Sequence, residues 1–161
     1  MKRSDVLAFF AARRRDEIVV TTMSAFLEWP RYSSHPWDLV DGDAMGQATP
    51  VGLGLALAHP ERQVWVFNGD GSQLMSLGSL VTVGSVAPSN LIIFIFRNDC
   101  YEITGGQPIP GVRTLSFPAI AQGCGIQRTY AFVDLADFQQ RFDEVVGGDG
   151  PVLVDLKIAG P

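Results

Sequence analysis

Apolar residues occur along this chain in two alternating patterns, short continuous runs and longer stretches with helical spacing. The continuous runs have the length of strands and span residues 18–22, 63–68, 91–97, 126–130 and 151–156. The run at 91–97 is apolar almost throughout, which is typical of a parallel strand buried on both faces. In the other stretches, apolar residues recur every three or four positions and predict helices. These helices are expected near residues 4–13, 45–58, 72–86, 117–123 and 135–146.

This alternation predicts an α/β fold: a doubly wound, mostly parallel sheet with helices on both faces. Ser4 is placed to cap the first helix and Asp134 to cap the last. Residues 23–41, rich in aromatics and prolines, and residues 98–115 show neither period and are predicted to be irregular. Irregular segments this long inside a compact domain are usually functional. Because no repeat or linker is visible, residues 1–161 are expected to form a single domain.

Composition narrows the classes of protein. Of the 161 residues, 47% are apolar, and the formal net charge is −5. With only one basic run, at 13–15, this charge argues against nucleic-acid binding. No apolar stretch approaches the ~20 residues of a membrane-spanning helix. Cys100 and Cys124 form neither a disulfide framework nor a zinc motif, as expected in a reducing compartment. We therefore expect a cytoplasmic protein that binds neither nucleic acid nor membrane.

Polar residues follow two of the predicted strands at the points where they end. Gly69-Asp70-Gly71-Ser72 comes after the strand at 63–68, and Asn98 after the strand at 91–97. In a right-handed βαβ unit, both loops open on the same edge of the sheet. A carboxylate and an amide that converge there, beside the start of a helix, are suited to a hard cation that carries phosphate.

Two familiar phosphate-binding motifs are excluded. The segment after Gly69 has no lysine of the kind that a P-loop requires. Gly52-x-Gly54 lacks the third glycine and the preceding strand of a dinucleotide-binding motif. Without a lysine, the charge of a phosphate must be neutralised largely by a metal, and Mg²⁺ prefers oxygen ligands such as those of Asp70 and Asn98.

Gly69-Asp70-Gly71, followed after 26 residues by Asn98, resembles the diphosphate-binding motif of thiamine diphosphate-dependent enzymes. The resemblance extends over nearly the whole chain. It is strongest to the pyrophosphate-binding half of sulfopyruvate and phosphonopyruvate decarboxylases, several of which have this half as a separate short subunit. The further matching segments are residues 42–48, 52–56, 74–75, 104–107 and 150–155.

The resemblance implies a role for each matching residue. Mg²⁺ would be bound by the side chains of Asp70 and Asn98 and by the backbone carbonyl of Cys100, where relatives often have glycine. Met45 would support the bent cofactor, and the carbonyl of Asp43 would accept a hydrogen bond from its aminopyrimidine. The diphosphate would be bound by Gly71, Ser72 and the backbone near Ile103, with a hydroxyl from Ser24. The full set expected to bind cofactor is Ser24, Asp43, Ala44, Met45, Gly69, Asp70, Gly71, Ser72, Asn98, Cys100, Tyr101 and Ile103.

One part of such an enzyme is missing from these motifs. The family activates its cofactor with a glutamate of a different, pyrimidine-binding domain, for which 161 residues leave no room. Glu28 and Glu102 are the acids near the expected site, and neither lies in a matching motif. We therefore expect a pyrimidine-binding partner subunit in a homo- or hetero-oligomer that acts on a small 2-oxo acid.

Three functions follow as hypotheses. The first is the cofactor-binding subunit of a 2-oxo acid decarboxylase, a carbon–carbon lyase that is inactive alone. The second is a 2-oxoacid:ferredoxin oxidoreductase β-like subunit, because Thr104-Gly105-Gly106-Gln107 recurs there. Those subunits are usually longer and often bring cysteines for iron–sulfur clusters, which makes the second hypothesis weaker. The third is a non-catalytic half-enzyme that only binds the cofactor.

Overall fold

The computed structural model describes residues 1–40 and 45–160. Its helices are α1 (Arg3–Arg13), α2 (Met23–Glu28), α3 (Ala48–Ala58), α4 (Asp70–Met75), α5 (Ser79–Val86), α6 (Phe117–Gly123) and α7 (Leu135–Val146). Its strands are β1 (Ile18–Thr21), β2 (Asp38–Val40), β3 (Val64–Gly69), β4 (Leu91–Arg97), β5 (Cys100–Tyr101), β6 (Gln107–Pro108), β7 (Arg128–Phe132) and β8 (Val152–Lys157). Short 3₁₀ turns span Trp29–Arg31 and Glu102–Thr104. Within these ranges no helix has the length and apolar character needed to cross a membrane.

In the described part of the chain, six strands pair in parallel into one sheet with the order β2-β1-β3-β4-β8-β7. The order reverses at β1, which has β2 on one side and β3 on the other. The connections that leave β1 and β3 therefore run in opposite directions and leave a crevice between them. β5 and β6 form a separate antiparallel pair beyond the end of β4. The predicted doubly wound, parallel fold is confirmed.

Helices cover both faces of the sheet, because successive residues of a strand point to opposite faces. On one face, Phe67 and Phe94 pack beneath α1, α2 and α7. The ring of Phe10 from α1 lies 4.6 Å from both of their ring centres. On the other face, Val66 and Ile93 pack against α3, α5 and α6. Both layers leave the carboxyl ends of β1, β3 and β4 open for a ligand.

The helix ends agree with the predictions at the C-terminal end of the chain and differ at the N-terminal end. α6 and α7 have the predicted bounds, and the carboxylate of Asp134 caps α7 by accepting hydrogen bonds from two backbone N–H groups. The prediction for Ser4 is wrong. The backbone of α1 is already helical at Arg3, and the Ser4 hydroxyl donates to Asp5 (3.2 Å) instead of accepting a capping hydrogen bond.

The helix predicted over residues 72–86 is two helices, α4 and α5. The break lies at Ser76, whose φ of −131° and ψ of 47° are not helical. The side-chain amide of Gln73 donates there to the Ser76 carbonyl (3.4 Å) and to the Ser79 hydroxyl (3.3 Å). Polar side chains that compete for backbone hydrogen bonds favour such breaks. α3 likewise begins at Ala48, later than predicted.

The prediction of an irregular segment over residues 23–41 is confirmed for residues 32–37 and wrong for residues 23–31 and 38–40. The latter form α2, a 3₁₀ turn and the edge strand β2. The carboxylate of Asp38 holds the segment together by accepting hydrogen bonds from Trp29 Nε1 (2.9 Å), Ser33 Oγ (2.7 Å), the His35 N–H (2.9 Å) and the Arg14 guanidinium. Elements this short depend on such tertiary contacts and leave no period in the sequence.

The hydrogen bonds to the Asp38 carboxylate make the stability of the fold depend on pH. Burial alone would raise the pKa of Asp38, but hydrogen bonds from Ser33, Trp29 and Arg14 outweigh it and hold this pKa below its usual value. The ionised carboxylate therefore stabilises the fold above the pKa of the unfolded chain, about 3.9. Its contribution is lost as the pH falls through the lower pKa of the folded state.

Asp38→Asn should lower the free energy of unfolding at pH 7 by about 2–4 kcal/mol, because Arg14 is left buried without its counter-charge. The difference from wild type should begin to shrink as the pH falls below about 4, where the carboxyl of the unfolded chain takes up a proton, and should be lost below the lower pKa of the folded state. Urea unfolding across this pH range measures both effects. Asp143→Asn is the control, since Asp143 pairs with Arg13 but its side chain is 79% exposed. Equal losses in the two variants would contradict the role given to Asp38.

Two glycines of α3 differ sharply in their surroundings. A Cβ on Gly52 would lie 2.2 Å from Cγ2 of Val66 on β3, whereas one on Gly54 would meet nothing within 4 Å. Gly52 is therefore required by the close packing of α3 on the sheet, and Gly54 is not.

Gly52→Ala should destabilise the chain by about 1–3 kcal/mol, because the added methyl group overpacks the interface with β3. Gly54→Ala, two residues along the same helix, should stabilise it by about 0.5–1 kcal/mol through helix propensity alone. Thermal and urea unfolding of the two variants measures the difference. A stable Gly52→Ala variant would mean that α3 is less closely packed than the structure indicates.

Candidate functional site

A cavity opens at the carboxyl ends of β1, β3 and β4, in the crevice where the strand order reverses. Its walls are formed by Arg3, residues 22–25, Met45, residues 68–72, Phe96, Asn98 and residues 100–104. Crevices at this point of doubly wound sheets are the usual place for a ligand. The strand order alone therefore identifies this cavity as the candidate ligand-binding site.

The predicted site residues of the described chain meet in this one cavity. Its lining includes Ser24, Met45, Gly69, Asp70, Gly71, Ser72, Asn98, Cys100, Tyr101 and Ile103. Asp43 and Ala44 lie outside the described residues. The predicted segments come from four separate parts of the chain, and the parallel pairing of β1, β3 and β4 brings them to one edge.

Asp70 begins α4 directly after β3, and only 2% of it is exposed. Its carboxylate accepts hydrogen bonds from the N–H groups of Gly71 (2.8 Å) and Asp99 (2.6 Å). Burial raises the pKa of Asp70, and these backbone hydrogen bonds only partly offset the effect. No lysine or arginine of the described ranges forms an ion pair with it. A buried carboxylate of this kind gains most from a metal cation in the cavity.

The loop after β4 is fixed by the backbone of Asp99, which has a positive φ of 67°. This left-handed conformation is strained for a residue other than glycine, although aspartate tolerates it better than most. The Asp99 side chain compensates by ion pairs with Arg97 (3.0 Å) and with Lys157. As a result, the Asp99 N–H reaches Asp70, and the neighbours Asn98 and Cys100 are held beside it.

Gly71 and Ser72 connect α4 to the other walls of the cavity. A Cβ on Gly71 would lie 2.5 Å from the ring of Tyr101, so a glycine is needed for that ring to cover the start of α4. The Ser72 hydroxyl accepts a hydrogen bond from the N–H of Gly46 (2.9 Å), in the turn that precedes α3. This contact holds Met45 at the edge of the cavity, where its side chain is half-buried.

Two polar residues of the cavity were missed by the sequence reasoning. Thr22 Oγ1 and Asn68 Oδ1 are buried and have no hydrogen-bond partner within residues 1–40 and 45–160. The Asn68 amide is oriented by its nitrogen, which donates to Gln73 Oε1 (3.1 Å). Buried polar atoms are nearly always paired, and because both residues line the cavity, a polar ligand bound there would pair these two oxygens. The signal in the sequence is a polar residue at the end of each apolar strand run.

Arg3 was not predicted at the site, and Glu102 was expected near it but without a role. The Arg3 guanidinium forms two hydrogen bonds to the Glu102 carboxylate (2.7 and 2.8 Å), and Glu102 also accepts from Ser24 and Asn98. The hydrogen bonds from Arg3, opposed in part by burial, lower the pKa of Glu102. The carboxylate is therefore ionised near neutral pH. The sequence separates these partners by 99 residues, and no local pattern joins them.

The donor set of the cavity fits Mg²⁺ that carries a diphosphate. No group of three or more His, Cys, Asp or Glu side chains that could hold a metal occurs in the described residues. Asp70 and Asn98 line the cavity with one carboxylate and one amide, and Cys100 lies beside them in the loop. Mg²⁺ commonly binds through few protein ligands and completes its shell with phosphate oxygens and water.

The fold and this cavity together define a doubly wound domain that binds a diphosphate-containing cofactor. Residues 41–156 match the family described as thiamine pyrophosphate enzyme, C-terminal TPP binding domain. Because the match covers most of the chain, the chain belongs to this family. Thiamine pyrophosphate, or TPP, is the same compound as thiamine diphosphate, so the predicted cofactor is confirmed.

Two proteins similar to this chain are decarboxylases. The chain is 46% identical over 119 residues to phosphonopyruvate decarboxylase of Streptomyces viridochromogenes. The aligned region covers 71% of this chain and 28% of that protein. It is 40% identical over 115 residues to sulfopyruvate decarboxylase subunit beta of Methanothermobacter thermautotrophicus. That aligned region covers 71% of this chain and 58% of the subunit. The chain thus spans less than two thirds of either relative.

A solved structure agrees on the fold. Benzoylformate decarboxylase of Polynucleobacter necessarius superposes with a TM-score of 0.84 at 20% identity, over 99% of this chain and 33% of that one. Identity this low supports the fold and no more.

The unpaired hydroxyl of Thr22 gives a test of the cavity. Thr22→Val should stabilise the chain without cofactor by about 1–2 kcal/mol, because it removes a buried hydroxyl that has no partner. It should also weaken the binding of thiamine diphosphate, since the hydroxyl is lost to the ligand. Thermal unfolding and calorimetric titration measure the two effects.

Thr21→Val is the matched control. Thr21 Oγ1 is equally buried and has no hydrogen-bond partner among the described residues, but Thr21 does not line the cavity. This variant should gain stability and keep its affinity for the cofactor. The same affinity loss in both variants would show that the Thr22 hydroxyl has no specific role.

Proposed function

We propose that this chain is the cofactor-binding subunit of a thiamine diphosphate-dependent 2-oxo acid decarboxylase, similar to the phosphonopyruvate and sulfopyruvate decarboxylases. The observation that carries the proposal is the meeting of Asp70 with the loop of Asn98 and Cys100 at one cavity, joined by the hydrogen bond from the Asp99 N–H to Asp70 (2.6 Å). The names of the two relatives support the type of reaction. The chain would act as one pyrophosphate-binding domain over residues 1–161.

In this proposal, different residues of the cavity bind different parts of the cofactor. Asp70, the side chain of Asn98 and the carbonyl of Cys100 would hold Mg²⁺ against the diphosphate. The predicted contacts of the diphosphate are Gly71, Ser72 and the backbone near Ile103, and those of the rings are Asp43 and Met45. Ala44, Gly69 and Tyr101 are predicted to bind the cofactor without an assigned part. The bound cofactor supplies a thiazolium that accepts the electron pair released when a 2-oxo acid loses carbon dioxide.

The chain's own side chains prepare the cavity for this chemistry. Phe96 is buried and Met45 is half-buried, so they form an apolar part of the wall that excludes water. Ser24 donates its hydroxyl hydrogen to Glu102 (2.8 Å), so its oxygen faces the cavity as an acceptor. This arrangement favours a contact with a donor group of the cofactor over the predicted contact with a diphosphate oxygen.

The activating glutamate would come from a partner subunit that carries the pyrimidine-binding domain. Within the described ranges, Glu102 is the glutamate that lines the cavity, and its ion pair with Arg3 keeps it ionised and directed at Asn98. The naming of one relative as a beta subunit supports a partner. We expect the complex to be cytoplasmic and to act on a small 2-oxo acid.

The proposal is tested first by cofactor binding. The purified chain should bind thiamine diphosphate only when Mg²⁺ is present, as measured by isothermal titration calorimetry. Asp70→Ala should abolish this dependence on Mg²⁺, because it removes the buried carboxylate ligand. Asp149→Ala replaces an exposed aspartate and should bind as the wild type does. Binding that does not depend on Mg²⁺ would contradict the proposed metal site.

The second test is activity with the partner. Carbon dioxide release from 2-oxo acids should require this chain, the copurified partner, thiamine diphosphate and Mg²⁺ together. Turnover by the purified chain alone would contradict the two-subunit proposal. Cofactor binding without turnover in the complete complex, across a panel of 2-oxo acids, would favour a non-catalytic half-enzyme.

A further inference from the structure

The carboxylate of Glu102 accepts hydrogen bonds from three residues, of which Arg3 and Ser24 are distant in sequence. Arg3 of α1 donates to both oxygens, at 2.7 and 2.8 Å. The Ser24 hydroxyl (2.8 Å) and the Asn98 side-chain amide (2.9 Å) donate to Oε2, the oxygen that also accepts the shorter bond from Arg3. Charge-assisted, bidentate contacts of this kind fix geometry as well as energy. Glu102 is thus a rigid acceptor beside the expected metal site.

The hydrogen bonds of Asn98 determine which way its amide points. Its nitrogen donates to Glu102 Oε2, and its oxygen accepts from the N–H of Cys100 (3.1 Å). The reverse orientation would set the amide oxygen against the carboxylate and the amide NH₂ against another N–H group. Both ends therefore select one orientation, with the oxygen on the side of the Cys100 backbone.

We propose that Glu102 is a positioning residue that keeps the amide oxygen of Asn98, and not its nitrogen, available to Mg²⁺. This inference rests on the proposed magnesium site. An amide nitrogen cannot act as a ligand to Mg²⁺, which takes oxygen, so a flipped Asn98 would remove one ligand from the metal. Groups that orient metal ligands in this way typically change metal affinity when they are replaced.

Arg3 makes this arrangement stable and also supplies the means to test it. Its Nε donates to Glu28 (2.8 Å), while its two terminal nitrogens bind Glu102. Glu28 is therefore a second ion-pair partner of Arg3, beside Glu102, but it does not line the cavity. Removing Glu102 alone would leave Arg3 with half of its counter-charge, so the informative variants remove Arg3 and Glu102 together.

The experiment compares two double variants that differ only in the acceptor offered to Asn98. Arg3→Met/Glu102→Gln keeps a side-chain oxygen at this position, and Arg3→Met/Glu102→Leu has none. The Mg²⁺ concentration required for half-maximal binding of thiamine diphosphate is measured by calorimetry on the purified chain. The leucine variant should need about 10- to 100-fold more Mg²⁺ than the glutamine variant. At saturating Mg²⁺ the two should bind the cofactor similarly.

Glu28→Gln is the control for a purely structural effect of the arginine cluster. It should lower the melting temperature and leave the Mg²⁺ requirement unchanged. In the ¹⁵N–¹H spectrum, the side-chain amide signals of Asn98 should shift in the leucine variant more than in the glutamine variant, even without metal. This second measurement reports whether the Asn98 amide has lost its hydrogen-bond acceptor and does not depend on activity.

Three outcomes would overturn the inference in distinguishable ways. Equal Mg²⁺ requirements for the two double variants, with wild-type binding intact, would overturn it and leave the proposed function standing. Tighter binding by the leucine variant would identify Glu102 as a group that blocks the site. Failure of the wild-type chain to bind thiamine diphosphate with Mg²⁺ would overturn both the inference and the proposed magnesium site.

Discussion

Parallel pairing of β3 with β1 and β4 is the constraint on which the rest of the site depends. It places the ends of all three strands at one edge, in register, so that Gly69 lies opposite Phe96. Asp70 is therefore the residue directly after β3, and Asn98 is the residue directly after β4. The site needs no long loops to reach the ligand, since the sheet itself delivers its two polar side chains. Packing such as that of Gly52 on Val66 is what keeps this edge in place.

Charge in the cavity follows from the same geometry. Among the described residues that line the cavity, Asp70 and Glu102 are acidic and Arg3 is the single cation. Arg3 forms ion pairs with both Glu102 and Glu28. The wall is therefore acidic, and it suits Mg²⁺ far better than it suits a free anion. An anionic diphosphate would enter such a cavity only together with the metal. This explains why the chain can dispense with the lysine that phosphate-binding loops often use.

The sequence predicted what local pattern determines and missed what distant contacts determine. The strands, the motif from Gly69 to Asn98 and the bounds of α6 and α7 could be read because periodicity, glycine spacing and capping act over a few residues. The edge strand β2 escaped prediction because the distant donors to Asp38, and not a period in its three residues, hold it in place. The acceptor role of Glu102 likewise depends on Arg3 from the other end of the chain.

A cofactor that paired with Asn68 Oδ1 would link its own binding to folding, since this buried oxygen has no hydrogen-bond partner within residues 1–40 and 45–160. A polar atom buried without a partner lowers the stability of the empty protein, and a ligand that pairs with it returns that free energy on binding. The cofactor then acts as a component of the folded core. Its supply in the cell would set how much of this protein survives proteolysis, through mass action on the folded state.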